Sequence, residues 1–158
     1  MPSYFLDTSA LAKLYHQEAG SDYLERIVQQ SGSQAVISRL SLVEMESVFA
    51  IKVRVGEIDH AAQDIARRRL RADVAQGRLR IGPRIEEKHY QAARKYLVQF
   101  GVEHALRTLD ALQLAVALDL NGAGAISAVI SADLRLCRVA EIAGCPAIDP
   151  ANPGQLVV

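Results

Sequence analysis

Tryptophan is absent from this chain, aromatic residues make up only 5% of it, and cysteine occurs twice. Packing therefore falls to Ala, Leu, Val and Ile. Cys137 and Cys145 form no CxxC pair and have no histidines clustered around them. That excludes a disulfide framework and a thiolate metal site, and reads as two buried thiols in a reducing compartment. Long hydrophobic runs are also missing. The most apolar window, residues 109–130, holds Asp110, Asp119 and Asn121, which a membrane span would not tolerate. Asp7 interrupts the first apolar run and no basic segment precedes it, so no signal peptide is expected and the protein is read as cytoplasmic. Net charge is missing too, with 18 basic residues against 18 acidic ones. The bulk balance thus does not mark a nucleic-acid binder. What remains is a chain of 158 residues, half of them hydrophobic, long enough to bury a core as a single domain spanning 1–158.

Charge distribution says more than its total. Residues 59–84 carry seven Arg and three Asp, a local excess of +4, while residues 1–58 and 85–158 each come to −2. The basic segment, with Arg67, Arg68, Arg69 and Arg71 at its centre, either tracks a phosphate backbone or forms a solvated helix face.

Hydrophobic periodicity predicts strands at residues 3–6, 34–38, 79–81, 126–131 and 147–148. It predicts helices at 9–16, 21–30, 40–55, 59–76, 86–99, 108–120 and 134–143. Gly56 and Gly77 close two of the helices, and Asp59 can cap the start of the one between them. The strands are short apolar runs without alternation, as in a sheet buried on both faces. The expectation is α/β: a three-layer α/β/α domain around a central parallel sheet of about five strands.

Four carboxylates need a reason. Ligands of open parallel sheets bind beyond the carboxyl ends of the strands. Asp7 follows the apolar run Tyr4-Phe5-Leu6, and Asp133 lies two residues after Val129-Ile130-Ser131. Each could equally cap the helix that follows it. Asp110 opens the nearly all-apolar helix at 108–120, so its carboxylate is expected in a sheltered place. Glu44 shares a helix face with Leu40, Val48 and Ile51, where a Glu needs an Arg partner, a metal or a catalytic task. If all four converge, they repel: two unit charges about 4 Å apart interact at roughly 4 kcal/mol for an effective dielectric near 20. Some must then protonate or bind a cation. Carboxylates without His or Cys make a hard oxygen site suited to Mg²⁺ or Mn²⁺, and hydrolysis of phosphodiesters is the chemistry that fits.

The segments that carry these acids resemble the PIN-domain family, and especially its VapC-type toxins of bacterial toxin–antitoxin pairs. They are Phe5-Leu6-Asp7-Thr8-Ser9-Ala10-Leu11, then Ser41-Leu42-Val43-Glu44, then Arg107-Thr108-Leu109-Asp110-Ala111-Leu112-Gln113-Leu114-Ala115, and Val129-Ile130-Ser131-Ala132-Asp133-Leu134-Arg135-Leu136. They occur in the family's order and span nearly the whole chain. The resemblance implies a Mg²⁺- or Mn²⁺-dependent endoribonuclease. Asp7, Glu44 and Asp110 would be its main metal-site acids and Asp133 would complete the site. Thr8 and Ser131 occupy positions where the family often has supporting residues. Gln113 stands where the family often has His, and reads as peripheral to the chemistry. A homodimer is implied, as is a small antitoxin that occludes the site. The helix at 40–55 also bears a second apolar stripe, Leu42, Met45, Phe49 and Val53, nearly opposite Glu44. A neighbouring helix or a second copy of the chain would have to cover one of the two stripes.

Other chemistries fit less well. An aspartyl phosphatase wants a second Asp two residues after the first, and position 9 is Ser. A receiver domain wants a Lys after a late strand, and no GxGxxG follows the first strand for a dinucleotide. The serious rival is a catalytically silent PIN domain serving as an RNA- or protein-binding module, against which the four acids argue, because binding RNA gains nothing from concentrated negative charge. A DNA-directed nuclease of the same fold is the other alternative.

Overall fold

The computed structural model describes residues 2–154; the ends of the expected 1–158 domain, residue 1 and residues 155–158, lie outside them. Five strands make one sheet: β1 (Ser3–Leu6), β2 (Gln34–Ile37), β3 (Leu79–Ile81), β4 (Ala128–Ile130) and β5 (Ala147–Ile148). All neighbours are parallel, in the order β3-β2-β1-β4-β5. Seven helices connect or follow them: α1 (Thr8–Ala12), α2 (Ser21–Gln29), α3 (Arg39–Arg54), α4 (His60–Ala75), α5 (Glu87–Phe100), α6 (Thr108–Gly122) and α7 (Leu134–Ile142).

Side-chain period explains why the strands show no polar alternation. Phe5, Val36 and Val129 point to one face, where Leu114, Val116, Leu136 and Val139 from α6 and α7 meet Ala93 and Phe100 from α5. Leu6, Ala35, Ile37 and Ile130 point to the other, against Leu11, Leu24, Met45, Phe49 and Leu70 from α1 to α4. Both faces are covered, so both alternating sets must be apolar. Each large side chain buried this way contributes roughly 1.5–3 kcal/mol of transfer free energy. The expected three-layer α/β/α architecture with five parallel strands is therefore present.

Two element boundaries differ from the periodicity. The first helix stops at Ala12, because Lys13, Leu14 and Tyr15 donate to carbonyls three residues back and tighten the chain into a turn. The fourth strand covers only Ala128–Ile130, although its flanks stay bonded, Ser127 N–H to the Ser3 carbonyl and Ser131 N–H to that of Ile148. Asp59 caps α4 through the Ala62 N–H, as expected. Both cysteines are buried and unbonded to each other. Burial pushes the Cys137 thiol up to about 12 and that of Cys145 to about 11, which leaves both inert at neutral pH. Among the described residues no helix is long and apolar enough to cross a membrane.

Candidate active site

From β1 the chain winds outward through β2 to β3, then returns to place β4 on the other side of β1. Strand order therefore reverses between β1 and β4, the point beyond whose carboxyl ends open parallel sheets form a ligand-binding crevice. Asp7 is the first residue past β1. It is the N-cap of α1, in extended conformation, and its Oδ1 accepts the Ala10 N–H at 2.9 Å. Ser9 Oγ lies 2.7 and 2.9 Å from the two carboxylate oxygens, and Ser131 Oγ donates to Oδ2 at 2.6 Å. The carboxyl is only 5% exposed and joins no ion pair among the described residues. Burial pushes its pKa up to about 6 against the pull of those hydrogen bonds, and the nearby charge of Asp110 adds to the rise.

Two hydroxyls stitch the end of β1 to the end of β4. Ser131, fully buried, holds Asp7 and accepts the Asp133 N–H at 3.0 Å. Ser9 Oγ accepts the Ala132 N–H at 2.9 Å. Asp133 is the N-cap of α7; its Oδ1 accepts the Arg135 N–H at 2.9 Å, and the Arg135 Nε lies 3.4 Å away. For Asp7 and Asp133 alike, the capping role and the place at a strand end come from the same geometry.

Glu44 reaches the site differently from the sequence expectation. The core-facing stripe of α3 is the other one, carrying Met45 and Phe49, while Leu40 and Val48 beside Glu44 are half-buried and Ile51 is 44% exposed. Glu44 thus sits at the edge of the helix's buried face rather than in its middle. Its Oε1 accepts from Thr8 Oγ1 at 3.1 Å and from Gln113 Nε2 at 2.8 Å. Gln113, expected to be peripheral, is 3% exposed and central to this cluster. Its Nε2 also lies 2.9 Å from Ser41 Oγ and 3.1 Å from Thr8 Oγ1, and its Oε1 accepts from Ser38 Oγ at 3.0 Å.

Asp110 lies in the first turn of α6, and its side chain is 22% exposed, half-sheltered rather than enclosed. Oδ2 is 3.3 Å from Nε of the exposed Arg107. Among the described residues, three of the acids therefore have one oxygen engaged and the other unbonded: Oε2 of Glu44, Oδ1 of Asp110 and Oδ2 of Asp133. Among the described residues no three carboxylate, His or Cys side chains converge closely enough to enclose a metal as they stand. Each acid is turned toward a protein partner instead. In donor chemistry, the set of carboxylates and hydroxyls around a buried, cation-free Asp7 fits a hard divalent ion.

The four arginines of α4 lie apart from these contacts. Arg67 forms a forked ion pair with Glu46 and a second with Asp64. Arg69 sits over the Tyr15 ring and bonds the Leu14 carbonyl. Arg68 bonds the Asp64 carbonyl of its own helix, and Arg71 lines a groove of about 380 Å³ between α3 and α4. Sequence reasoning missed Ser9, Ser38 and Ser41. No local signal marks such hydroxyls, because their partners stand up to 123 residues away.

The fold is similar to the crystal structure of Mycobacterium tuberculosis VapC20, a sarcin-ricin loop cleaving toxin. The TM-score is 0.62 at 21% identity, covering 90% of this chain and 95% of that one. No curated protein matches the sequence. Residues 4–142, which carry all four acids from Asp7 to Asp133, match the PIN domain family. This chain belongs to the PIN domain family.

Proposed function

We propose that this protein is a metal-dependent endoribonuclease that hydrolyses RNA phosphodiester bonds, the toxin of a toxin–antitoxin pair. The observation that carries the reading is the unpaired, buried Asp7 at the reversal of strand order, with Asp110 close enough to raise its pKa. Ser131 links it to the Asp133 backbone, and the adjacent Thr8 bonds Glu44. A buried carboxyl with no cation partner among the described residues keeps its charge at a desolvation cost that a divalent cation would relieve.

Asp7, Glu44, Asp110 and Asp133 would hold Mg²⁺ or Mn²⁺, with the unbonded oxygens of the last three turned to it. When bound, the ion supplies Lewis-acid activation of water and neutralises charge on the phosphodiester. Ser131 and Ser9 keep Asp7 in one orientation, and Thr8 steadies Glu44. Arg107 and Arg135, exposed beside Asp110 and Asp133, and Arg39, exposed in the first turn of α3, can take phosphates. Arg67, Arg68, Arg69 and Arg71 offer a second basic strip along α4. The description of VapC20 as a sarcin-ricin loop cleaving toxin is consistent with this reading. A small antitoxin protein that covers the crevice and a second copy of this chain are the partners that go with the reading.

The test is a cleavage assay on total cellular RNA with Mg²⁺, Mn²⁺ or EDTA. Wild type should give discrete fragments only with metal, and Asp7→Asn or Asp110→Asn should lose at least a hundredfold in rate while staying folded. Full turnover in both variants removes the site. Absence of cleavage by folded, antitoxin-free wild type turns the reading toward a silent binding module.

A further inference from the structure

We infer that Gln113 is a positioning residue of the acidic site, setting the direction in which Glu44 presents its free oxygen. The inference rests on the nuclease reading for its consequence, but its geometry stands on contacts already described. A buried amide on α6 is an unfavourable choice for filling space, since a Met or Leu would occupy the same volume with nothing to satisfy. Here both ends of the amide are satisfied by groups from three other elements: Ser38 at the end of β2, Ser41 and Glu44 on α3, and Thr8 on α1.

The orientation of that amide is determined by its partners. Ser38 caps α3, so its oxygen accepts the Ser41 N–H at 3.3 Å and its own proton is free to go to Gln113 Oε1 at 3.0 Å. With the carbonyl end so fixed, Nε2 must face Glu44 Oε1, 2.8 Å away. Thr8 Oγ1 adds a second donor to the same oxygen. Two donors on Oε1 lock the carboxylate's rotation and leave Oε2 without a protein partner. Gln113 lies one helical turn after Asp110, so a single face of α6 delivers one acid to the site directly and orients another. An amide makes these contacts without itself titrating.

The test compares wild type with Gln113→Met, which keeps length and removes the donors, and with Ser38→Ala, which removes the donor that holds the amide's carbonyl end. Mn²⁺ binding is measured directly by titration calorimetry, alongside circular dichroism and the Mn²⁺ concentration that half-saturates RNA cleavage. Gln113→Met should bind Mn²⁺ about tenfold or more weakly, the range seen when partners behind a metal ligand are removed. Its fold should be unchanged and cleavage should largely recover at saturating Mn²⁺. Ser38→Ala should shift in the same direction by less. Wild-type Mn²⁺ affinity in folded Gln113→Met overturns the inference, even if wild type cleaves RNA and the nuclease reading stands. Should Gln113→Met fail to fold, unchanged affinity in Ser38→Ala overturns it instead. A wild type that neither binds Mn²⁺ nor cleaves removes both.

Discussion

At neutral pH the Asp7 carboxyl is an anion in the interior with hydroxyl and amide partners but no cation. In an unfolded chain it would titrate near 3.8, whereas in the folded protein it does so at about 6. The folded state therefore holds the proton more tightly. Stability linked to this group is fully present below about pH 4 and is lost as pH rises through 6. The difference amounts to about 3 kcal/mol at most by pH 7.5. Asp7→Asn should accordingly melt several degrees higher than wild type at pH 7.5 in EDTA, and the gap should close by pH 4. Thermal melts at both pH values check this; a clear loss of melting temperature at pH 7.5 would contradict the account from burial of the Asp7 charge. Mg²⁺ should raise the wild-type melting temperature and leave that of Asp7→Asn nearly unchanged.

Along α3 the same sequence serves three surfaces. Ser41, Met45 and Phe49 face the core, Glu44 faces the site, and Val43, Ile51 and Val55 are 69%, 44% and 59% exposed. Spacings of eight and four residues keep these last three on one ridge, broken only by Ser47. An apolar ridge on a helix that borders the site is a natural contact for a second copy of the chain. Sedimentation of wild type at tens of micromolar should give a dimer, and Val43→Glu with Ile51→Glu a folded monomer; a monomeric wild type discards the ridge as an interface. Helix α3 also marks where sequence reading stopped. Periodicity located the helix and both apolar stripes, yet could not say which stripe met the sheet, because that depends on where α1 and α4 pack. The placement of Asp7 and Asp133 just past strand ends was legible, since strands are visible as apolar runs. Gln113 was not, because its importance lies in Ser38, Ser41 and Thr8 coming to it from elsewhere in the chain.

For the molecule as a whole, a net charge of zero conceals a basic strip and an acidic crevice rimmed by arginines. On the proposed function an RNA strand brings its phosphates to the acids, and the question is which cations guide it. On α4, Arg67 is committed to Glu46 and Arg69 to the Leu14 carbonyl and the Tyr15 ring, which leaves Arg68 and Arg71 with positive charge to offer. Each phosphate neutralised on a single strand contributes roughly 0.7 to the slope of log affinity against log salt. Replacing all four α4 arginines with Ala should therefore flatten the slope by about 1.4. Replacing Arg39, Arg107 and Arg135 should flatten it by about 2, because all three are exposed and Arg107 and Arg135 meet their carboxylates through single contacts of 3.3 and 3.4 Å rather than a fork. Binding would be measured in the Asp7→Asn background, so that cleavage does not intrude. Loss of Arg107 and Arg135 also strips Asp110 and Asp133 of their nearest cations. That should weaken RNA binding beyond the slope effect at low salt, by leaving more negative charge at the rim. A steeper change from the α4 set than from the rim set would route the RNA along α4 instead. The crevice would then receive only the strand's end.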